Sequence, residues 1–552
     1  MKSAVNLPRV VKIGLFAATA LALSATSVGA YDHSGDGYYD YDGGIDTEGP
    51  NGPAGPGGGF GPAIGLGFNG ITQLDVRALH SNFSSIPPDT NGAVGATQFF
   101  ETTNGAYAVY DKATGTQTKL WADGNFWQAA GQPLMNGPNN FSNGDSRVLY
   151  DAQSQKFAII SFGATLGQIA IAVSDTSDAL GGWKSAVFTG YDDHVGTGIA
   201  DYPTLAIDSK AVYIGTNNFT QTAGACGTPF SLCSTTLNVL SRNDIFGAGG
   251  PGVGSLKQFT TPFTNVPGSE DRGFAIQGVN QVGGNDAGKI VAISALDFGP
   301  VAYSVLHPGT AGATQTGVVQ VDTSPYQGNS LAAQPNGKRY IDPLDDRISS
   351  EAWEYKGNIY TIHTITLVGQ THTSLEFYVL DAATGAVIQK GIIGDGVHDY
   401  FQGSIAINNS GQLLFSYNRS GFGADGKVSI LAQQFNPTGG GLIGKVGSEI
   451  LLYVSPIDNY HNGSPQFSPP SGRQRWGDYS QVTVDPNNPQ SFWVVGEYAL
   501  GYLPNRTASN SRWGTWISNV NIGGVPEPST WGLMIVGFGF AGVALRRRRA
   551  TA

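Results

Sequence analysis

Carboxylates and guanidinium groups stand repeatedly at the start of short apolar runs in this chain. The first is Asp89, in Asp89-Thr90-Asn91-Gly92-Ala93-Val94. Asp145 and Arg147 open Asp145-Ser146-Arg147-Val148-Leu149-Tyr150, and Asp201 opens Asp201-Tyr202-Pro203-Thr204-Leu205. Asp271 and Arg272, Asp346 and Arg347, and Gln402 hold corresponding places further on, and Arg475 and Asp478 close the series in Arg475-Trp476-Gly477-Asp478-Tyr479-Ser480. Gathered in one place, such groups have two chemistries. A carboxylate accepts sugar hydroxyls or moves a proton, and a guanidinium holds an anionic group through a two-pronged hydrogen bond. They also have a purely structural use, accepting backbone N–H groups in turns or pairing with each other between neighbouring units. Glu101, Glu351, Glu354 and Glu497 lie close to the same runs, and Trp476 and Tyr479 could stack on a sugar ring.

What could bring these residues together is the element that repeats. Each segment enters a short apolar stretch, turns, and leaves in a strand-like run such as Phe157-Ala158-Ile159-Ile160, Val212-Tyr213-Ile214, Ile359-Tyr360-Thr361-Ile362 or Phe492-Trp493-Val494. The starts recur about every 56 to 76 residues, room for four strands and their turns. Gly is 79 of 552 residues, aromatics are 11% and charged residues 13%, which favours short strands over helical bundles. A four-stranded sheet repeated radially is a propeller blade. The sequence therefore predicts an all-β fold: a seven-bladed β-propeller over residues 75–523, with six or eight blades, or two β-sandwiches, as alternatives. In a propeller every inner strand lines one axis, so the repeated polar position becomes a ring on one face. Asp89, Asp145, Arg147, Asp201, Asp271, Arg272, Asp346, Arg347, Gln402, Arg475 and Asp478 are the candidate ligand-binding face.

The two ends read as addresses. Lys2, Arg9 and Lys12, an apolar run from Ile13 to Leu23, and small residues to Ala30 form a signal peptide over residues 1–30. Residues 31–74 form a flexible, disordered leader in which Asp32, Asp36, Asp40, Asp42 and Asp46 lie among Gly, Pro and Tyr. Calcium is the one cofactor these aspartates suggest, although they do not complete a calcium-binding loop. At the other end, Pro526-Glu527-Pro528 precedes an apolar stretch, Trp531 to Leu545, and then Arg546, Arg547, Arg548 and Arg549. Fifteen helical residues span about 22 Å, short of a ~30 Å hydrocarbon core, so this is a short hydrophobic helix and a marginal membrane segment closed by a basic stop.

The order Pro-Glu-Pro, apolar helix, arginine cluster over residues 524–552 resembles the PEP-CTERM sorting signal of Gram-negative bacteria that make extracellular polysaccharide. The resemblance implies an exosortase-type membrane enzyme as processing partner, transient or retained contact with the inner membrane, and delivery to the cell surface or matrix. The body is similar to uncharacterised secreted bacterial propeller proteins and, remotely, to the sialidase-like superfamily. That second likeness rests on Pro88-Asp89-Thr90-Asn91-Gly92, Asp201-Tyr202-Pro203 and Arg475-Trp476-Gly477-Asp478-Tyr479-Ser480 with Val484-Asp485-Pro486. A sialidase-like site would need an arginine cluster and a Tyr–Glu pair, and spacing selects no such pair here. The Ser-x-Asp-x-Gly-x-Thr-Trp box of that superfamily is absent; Ser174-Asp175 and Ser177-Asp178 before Gly181-Gly182-Trp183 come nearest.

The whole chain carries a net charge of −11, and losing both ends would remove more bases than acids. Such a body avoids nucleic acid and anionic membranes. Cys226 and Cys233, the only two cysteines, exclude a disulfide scaffold and a Cys-ligated metal; in an oxidising compartment they would staple their own loop. Asp192-Asp193-His194 and Gly394-Asp395-Gly396-Val397-His398-Asp399 could ligate calcium or a transition metal, but read better as solvated loops. These observations lead to an exported, cell-surface or matrix propeller that binds a ligand, and the resemblance of the tail to the sorting signal implies extracellular polysaccharide as the partner class. A glycoside hydrolase or lyase on the same face, and a matrix spacer without small ligand, are the alternatives.

Overall fold

The computed structural model describes residues 62–522 except 133–141, 143, 192–197, 222–230, 263–269, 284–286, 295–298, 323–325, 336, 462–473 and 503–510. The signal segment, residues 31–61 of the leader, Pro526, Glu527, Pro528 and Arg546 to Arg549, Asp192-Asp193-His194 and Cys226 lie outside the described residues. Cys233 is disulfide-bonded.

The chain is built of antiparallel meanders of successive strands, four in the first. The first runs through Asn91–Val94, Gln98–Thr103, Ala106–Asp111 and Gln117–Ala122. Six more follow among the described residues, with inner strands at Arg147–Asp151, Gly198–Asp201 with Ala206–Ile207, Phe274–Gln281, Ala352–Tyr355, Asp399–Ile407 and Gln481–Val484. Alternation of large apolar side chains within each strand gives every sheet two oily faces, and each face packs on the next sheet. The buried clusters follow that rule around a circle. Phe100 and Tyr107 of the first meander pack with Phe157 and Ile159 of the second. Ile160 and Ile171 of the second pack with Val212 and Leu240 of the third. The series continues until Phe99 and Tyr110 of the first meet Trp493 and Ile517 of the last. A sequence of sheets whose last member packs on its first is a β-propeller.

Closure uses the N-terminus. Ala63–Thr72 is the outer strand of the last meander, paired antiparallel with Ser511–Asn521 through Ala63↔Asn521, Phe68↔Ile517 and Thr72↔Gly514. Composition assigns these residues to the leader, because Gly65, Gly67 and Gly70 dilute the apolar signal. Their pairing partner, more than 400 positions away, is what makes them a strand. A β-side chain at Gly70 would come within 2.7 Å of the Glu101 carboxylate, so Gly is required by close approach.

One element interrupts the radial scheme. Ala332–Gln334, Lys338–Asp342 and Gln474–Arg475 form a small separate sheet, with Ile341↔Gln474 and Asp342↔Arg475 in parallel register. It is tied to the sixth meander by the Ala333 N–H, which donates to Asp399 Oδ2 at 2.9 Å. Among the described residues no helix is long and apolar enough to cross a membrane.

Candidate functional site

The fourth and fifth inner strands, Phe274–Gln281 and Ala352–Tyr355, pair in parallel, and radial repetition of one meander gives every inner strand that direction. Their entries therefore share one end of the axis, here the hub end. Several entry residues hold left-handed backbone: Asp89 (φ 46°), Asp145 (54°), Tyr202 (54°), Ala275 (48°) and Gln402 (51°). Asp accepts that conformation readily, whereas Tyr, Ala and Gln do so under strain. At Gln402 the cause is a bulge, which shifts the register between Phe401 and Ser404.

Eight of the predicted residues come together there. The Asp478 N–H donates to Asp89 Oδ1 at 2.7 Å, and Asn104 Nδ2 donates to Asp89 Oδ2 at 2.7 Å. Arg475 pairs with Asp478, and Gln402 donates to the Gly477 carbonyl. The Tyr479 hydroxyl donates to the Ser146 carbonyl at 3.2 Å, and Arg147 Nη1 donates to the Ser349 carbonyl at 2.8 Å. The Arg147 guanidinium stacks over Tyr479 at 3.6 Å and faces Tyr202 at 5.1 Å, with Arg347 over the other approach to Tyr202 at 4.2 Å. Arg347 is held in turn by Asp345 at 2.6 and 2.7 Å. Residues from the first, second, third, fifth, sixth and last units are thus tied across the axis.

The hub has more acids than bases, and burial magnifies the imbalance. Burial, and then the charges of Asp478 and Asp145, hold the Asp89 carboxyl well above its usual range. Asp145 is raised by burial and by the charges of Asp201 and Asp478. Asp201 is pushed up to about 7 by burial, with Arg347 pulling it down and Asp478 pushing it up. Glu351 is brought to about 7 by burial, against the pull of Arg147. The least buried of these acids are Asp145, Asp201 and Asp478, at 7%, 8% and 9% exposure, so they form the outermost polar layer.

Three predicted residues stay outside. Asp271 accepts the Gly273 N–H at 2.9 Å and the Ser294 hydroxyl at 2.7 Å. Arg272 binds Glu270 at 2.9 Å and the Thr316 carbonyl at 3.1 Å, and lies against Tyr303. Asp346 lies beside His363 and Tyr326, and burial followed by the charge of Asp345 raises it to about 7. These contacts serve their own neighbourhoods, the structural use that the repeat also allowed. Trp476 and Tyr479 are fully buried, so neither stacks on an external sugar; both pack inside, Trp476 edge-on to Tyr460. Arg475 belongs to the small extra sheet instead of an inner strand.

Some features escaped the repeat pattern. Glu497, on the second strand of the last meander, is buried, and among the described residues neither of its oxygens has a well-formed hydrogen bond, with Tyr460 approaching as a donor. Among the described residues Arg147 Nε and Nη2 and Glu351 Oε2 also lack a well-formed partner. Among the described residues, only two of the exposed large apolar side chains are aromatic: Phe83 at 43% and Phe422 at 44%. Both lie at the hub end. Phe83 is in the loop leading to Asp89, and Phe422 follows Ser420, whose partner Asp399 opens the sixth inner strand. Their sequence settings, Ser81-Asn82-Phe83-Ser84 and Gly421-Phe422-Gly423, contained the signal, since an aromatic ring set in a turn has no sheet to pack on. His398, next to Phe422's loop, contacts Asp395 at 2.6 Å and Asp425 at 3.2 Å. Asp395 lies at about 2, because backbone and imidazole hydrogen bonds from His398 outweigh its partial burial. Among the described residues no three His, Cys, Asp or Glu side chains are placed to share a metal ion.

The strand order and hub define a β-propeller with a polar axis. Residues 524–549 match the PEP-CTERM protein-sorting motif. That motif implies export, membrane-associated sorting and processing by an exosortase-type enzyme. No curated protein matches the chain. A protein of unknown function from Dyadobacter fermentans is 10% identical over 79% of this chain and 94% of its own, with a TM-score of 0.36. The GH43 endo-arabinanase of Bacillus licheniformis is 10% identical over 54% of this chain and 96% of its own, at 0.30. An α-L-arabinofuranosidase from Lactobacillus brevis is 10% identical over 67% and 89%, at 0.29. Scores this low leave the fold to be defined by strand order and packing.

Proposed function

We propose that this chain is an exported, surface-sorted, seven-bladed propeller that binds extracellular polysaccharide on its hub end without cleaving it. The observation that carries the reading is a coincidence of place. The outermost carboxylates, Asp145, Asp201 and Asp478, and both exposed phenylalanines lie at the same end of the axis. Carboxylates accept paired sugar hydroxyls, and phenyl rings stack on the apolar faces of sugars. Binding is favoured over turnover because Asp89 and Asp478 are engaged by internal partners, leaving them little freedom to exchange protons with a substrate. In this reading the tail, from Trp531 to Arg549, serves as a temporary membrane segment.

A second reading has its own support. Glu497 and Glu351 are buried, raised above the carboxylate range and not fully hydrogen-bonded, which is the condition of a general acid. Screening the mature protein on a glycan array beside a panel of chromogenic glycosides separates the two. Retention of a glycan, weakened at least tenfold by Phe422→Ala and with no glycoside turned over, supports binding. Turnover abolished by Glu497→Gln replaces it with a hydrolase.

A further inference from the structure

The register of the closing meander gives the propeller a direction relative to its tail. Its inner strand starts at Gln481, just past Asp478 of the hub, and ends at Val484. Gln481 is opposite Val495 and Val484 is opposite Phe492, so Ser491 lies at the end of the wheel away from the hub. Ser491 is opposite Asn521, and the Ile522 N–H donates to the Gln490 carbonyl at 2.9 Å. Asn521 is also opposite Ala63. Both directions of chain toward the termini therefore depart side by side from the far end. That end is marked by the Lys112–Asp485 ion pair at 3.0 Å, which joins turns of the first and last meanders.

The strand Ser491–Tyr502 separates the two ends by about 35 Å. From Ile522 to Trp531, where the apolar run begins, nine residues reach about 30 Å at most. A tether leaving the far end and shorter than the thickness of the wheel cannot readily loop around to the hub.

We infer that, while the tail is in a bilayer, the far end of the propeller faces the lipid and the hub end faces away from it, toward the extracellular polymer. The far end is thus a membrane-apposed surface, with Asn521 and the start of the tail on the bilayer side, where a membrane enzyme would cut. The inference rests on the membrane role proposed for the tail and is independent of which glycan, if any, binds the hub.

The test uses the exported chain with its tail intact, in phosphatidylcholine vesicles bearing an acceptor dye on their surface. A donor dye is attached to Ala113→Cys, in an exposed far-end turn, or to Val368→Cys, an exposed hub-end position. Cys233 is disulfide-bonded and does not compete for the dye. The protein should float with the vesicles, and energy transfer from position 113 should be several-fold stronger than from position 368. Flotation with equal or reversed transfer overturns the orientation alone. Failure to float overturns the membrane role of the tail and the orientation with it, whatever the glycan array shows. A chain cut after Gly523 should neither float nor transfer; if it does, the body and not the tail contacts lipid, and the inference fails.

Discussion

Glu101 and Glu497 lie on the second strands of neighbouring meanders, and both are buried carboxyls held above their usual range. Their surroundings differ completely. Glu101 accepts the Ile71 N–H at 2.9 Å, the Tyr110 hydroxyl at 2.7 Å and the Thr515 hydroxyl at 2.5 Å. It joins the first meander to both outer strands of the last one, and so fastens the wheel shut. Glu497 is raised by burial and the charge of Asp89, opposed by a hydrogen bond from Tyr460 and the charge of Arg475, and among the described residues neither oxygen has a well-formed partner. Identical chemistry on equivalent strands is a fastening where donors surround it, and a reserve of unspent hydrogen-bonding capacity where they do not.

That contrast can be broken experimentally. The largest effect is expected at the hub's counter-charge. Arg475→Ala leaves Asp478 and Asp89 buried without their cation, and should cost about 3–5 kcal/mol in chemical unfolding. Glu101→Ala orphans the Ile71 N–H beneath the closing strand and opens a cavity, and should cost about 3 kcal/mol. Limited proteolysis of this variant should begin near Ala63–Thr72. If Glu101→Ala is neutral, Glu101 does not fasten the ring.

Proton linkage sharpens the same comparison. Burial raises Glu101 to about 7, with the Thr515, Tyr110 and Ile71 bonds opposing. Between the unfolded value near 4.5 and about 7, the folded form keeps a proton that the unfolded form has lost. Stability therefore falls as pH rises through that window, by up to ~3 kcal/mol from this group, and Asp201 and Glu351 add in the same direction. Unfolding midpoints should drop from pH 5 to pH 8. Glu101→Gln should flatten the profile, because an amide does not titrate; its Nε2 can donate to Thr515 Oγ, which leaves the one hydroxyl proton for the Ile71 carbonyl 2.8 Å away.

Glu497→Gln should do the reverse of Glu101→Ala and raise stability by about 1 kcal/mol at neutral pH, since burial makes this carboxyl take up a proton on folding and an amide has no such cost. A loss of several kcal/mol would show that Glu497 is as fully engaged as Glu101. The smallest effect on stability is expected at Phe422→Ala, within about 0.5 kcal/mol, because the ring is exposed in a turn. Its effect should appear in glycan retention instead.

The propeller was legible because its signal is periodic. Strand, turn and polar entry recur, and one inner strand per unit follows from that alone. The convergence of Asp89, Asp145, Arg147, Asp201, Arg347, Gln402, Arg475 and Asp478 followed from the same periodicity. Asp271, Arg272 and Asp346 fit the pattern equally well, yet their side chains turn to local partners. Rotamer and neighbour decide that, and neither has a period. The outer closing strand was hidden because its glycines give a weak local signal, and its pairing partner is at the opposite end of the chain.

By itself, the sequence determined the repeat, the polar entry position and the sorting tail, since each is written in contiguous residues. Only the tertiary structure decided which acids are satisfied, which aromatic rings stay in solvent and at which end the termini emerge. Those outcomes depend on the desolvation and hydrogen bonding that a side chain meets after distant strands have packed around it.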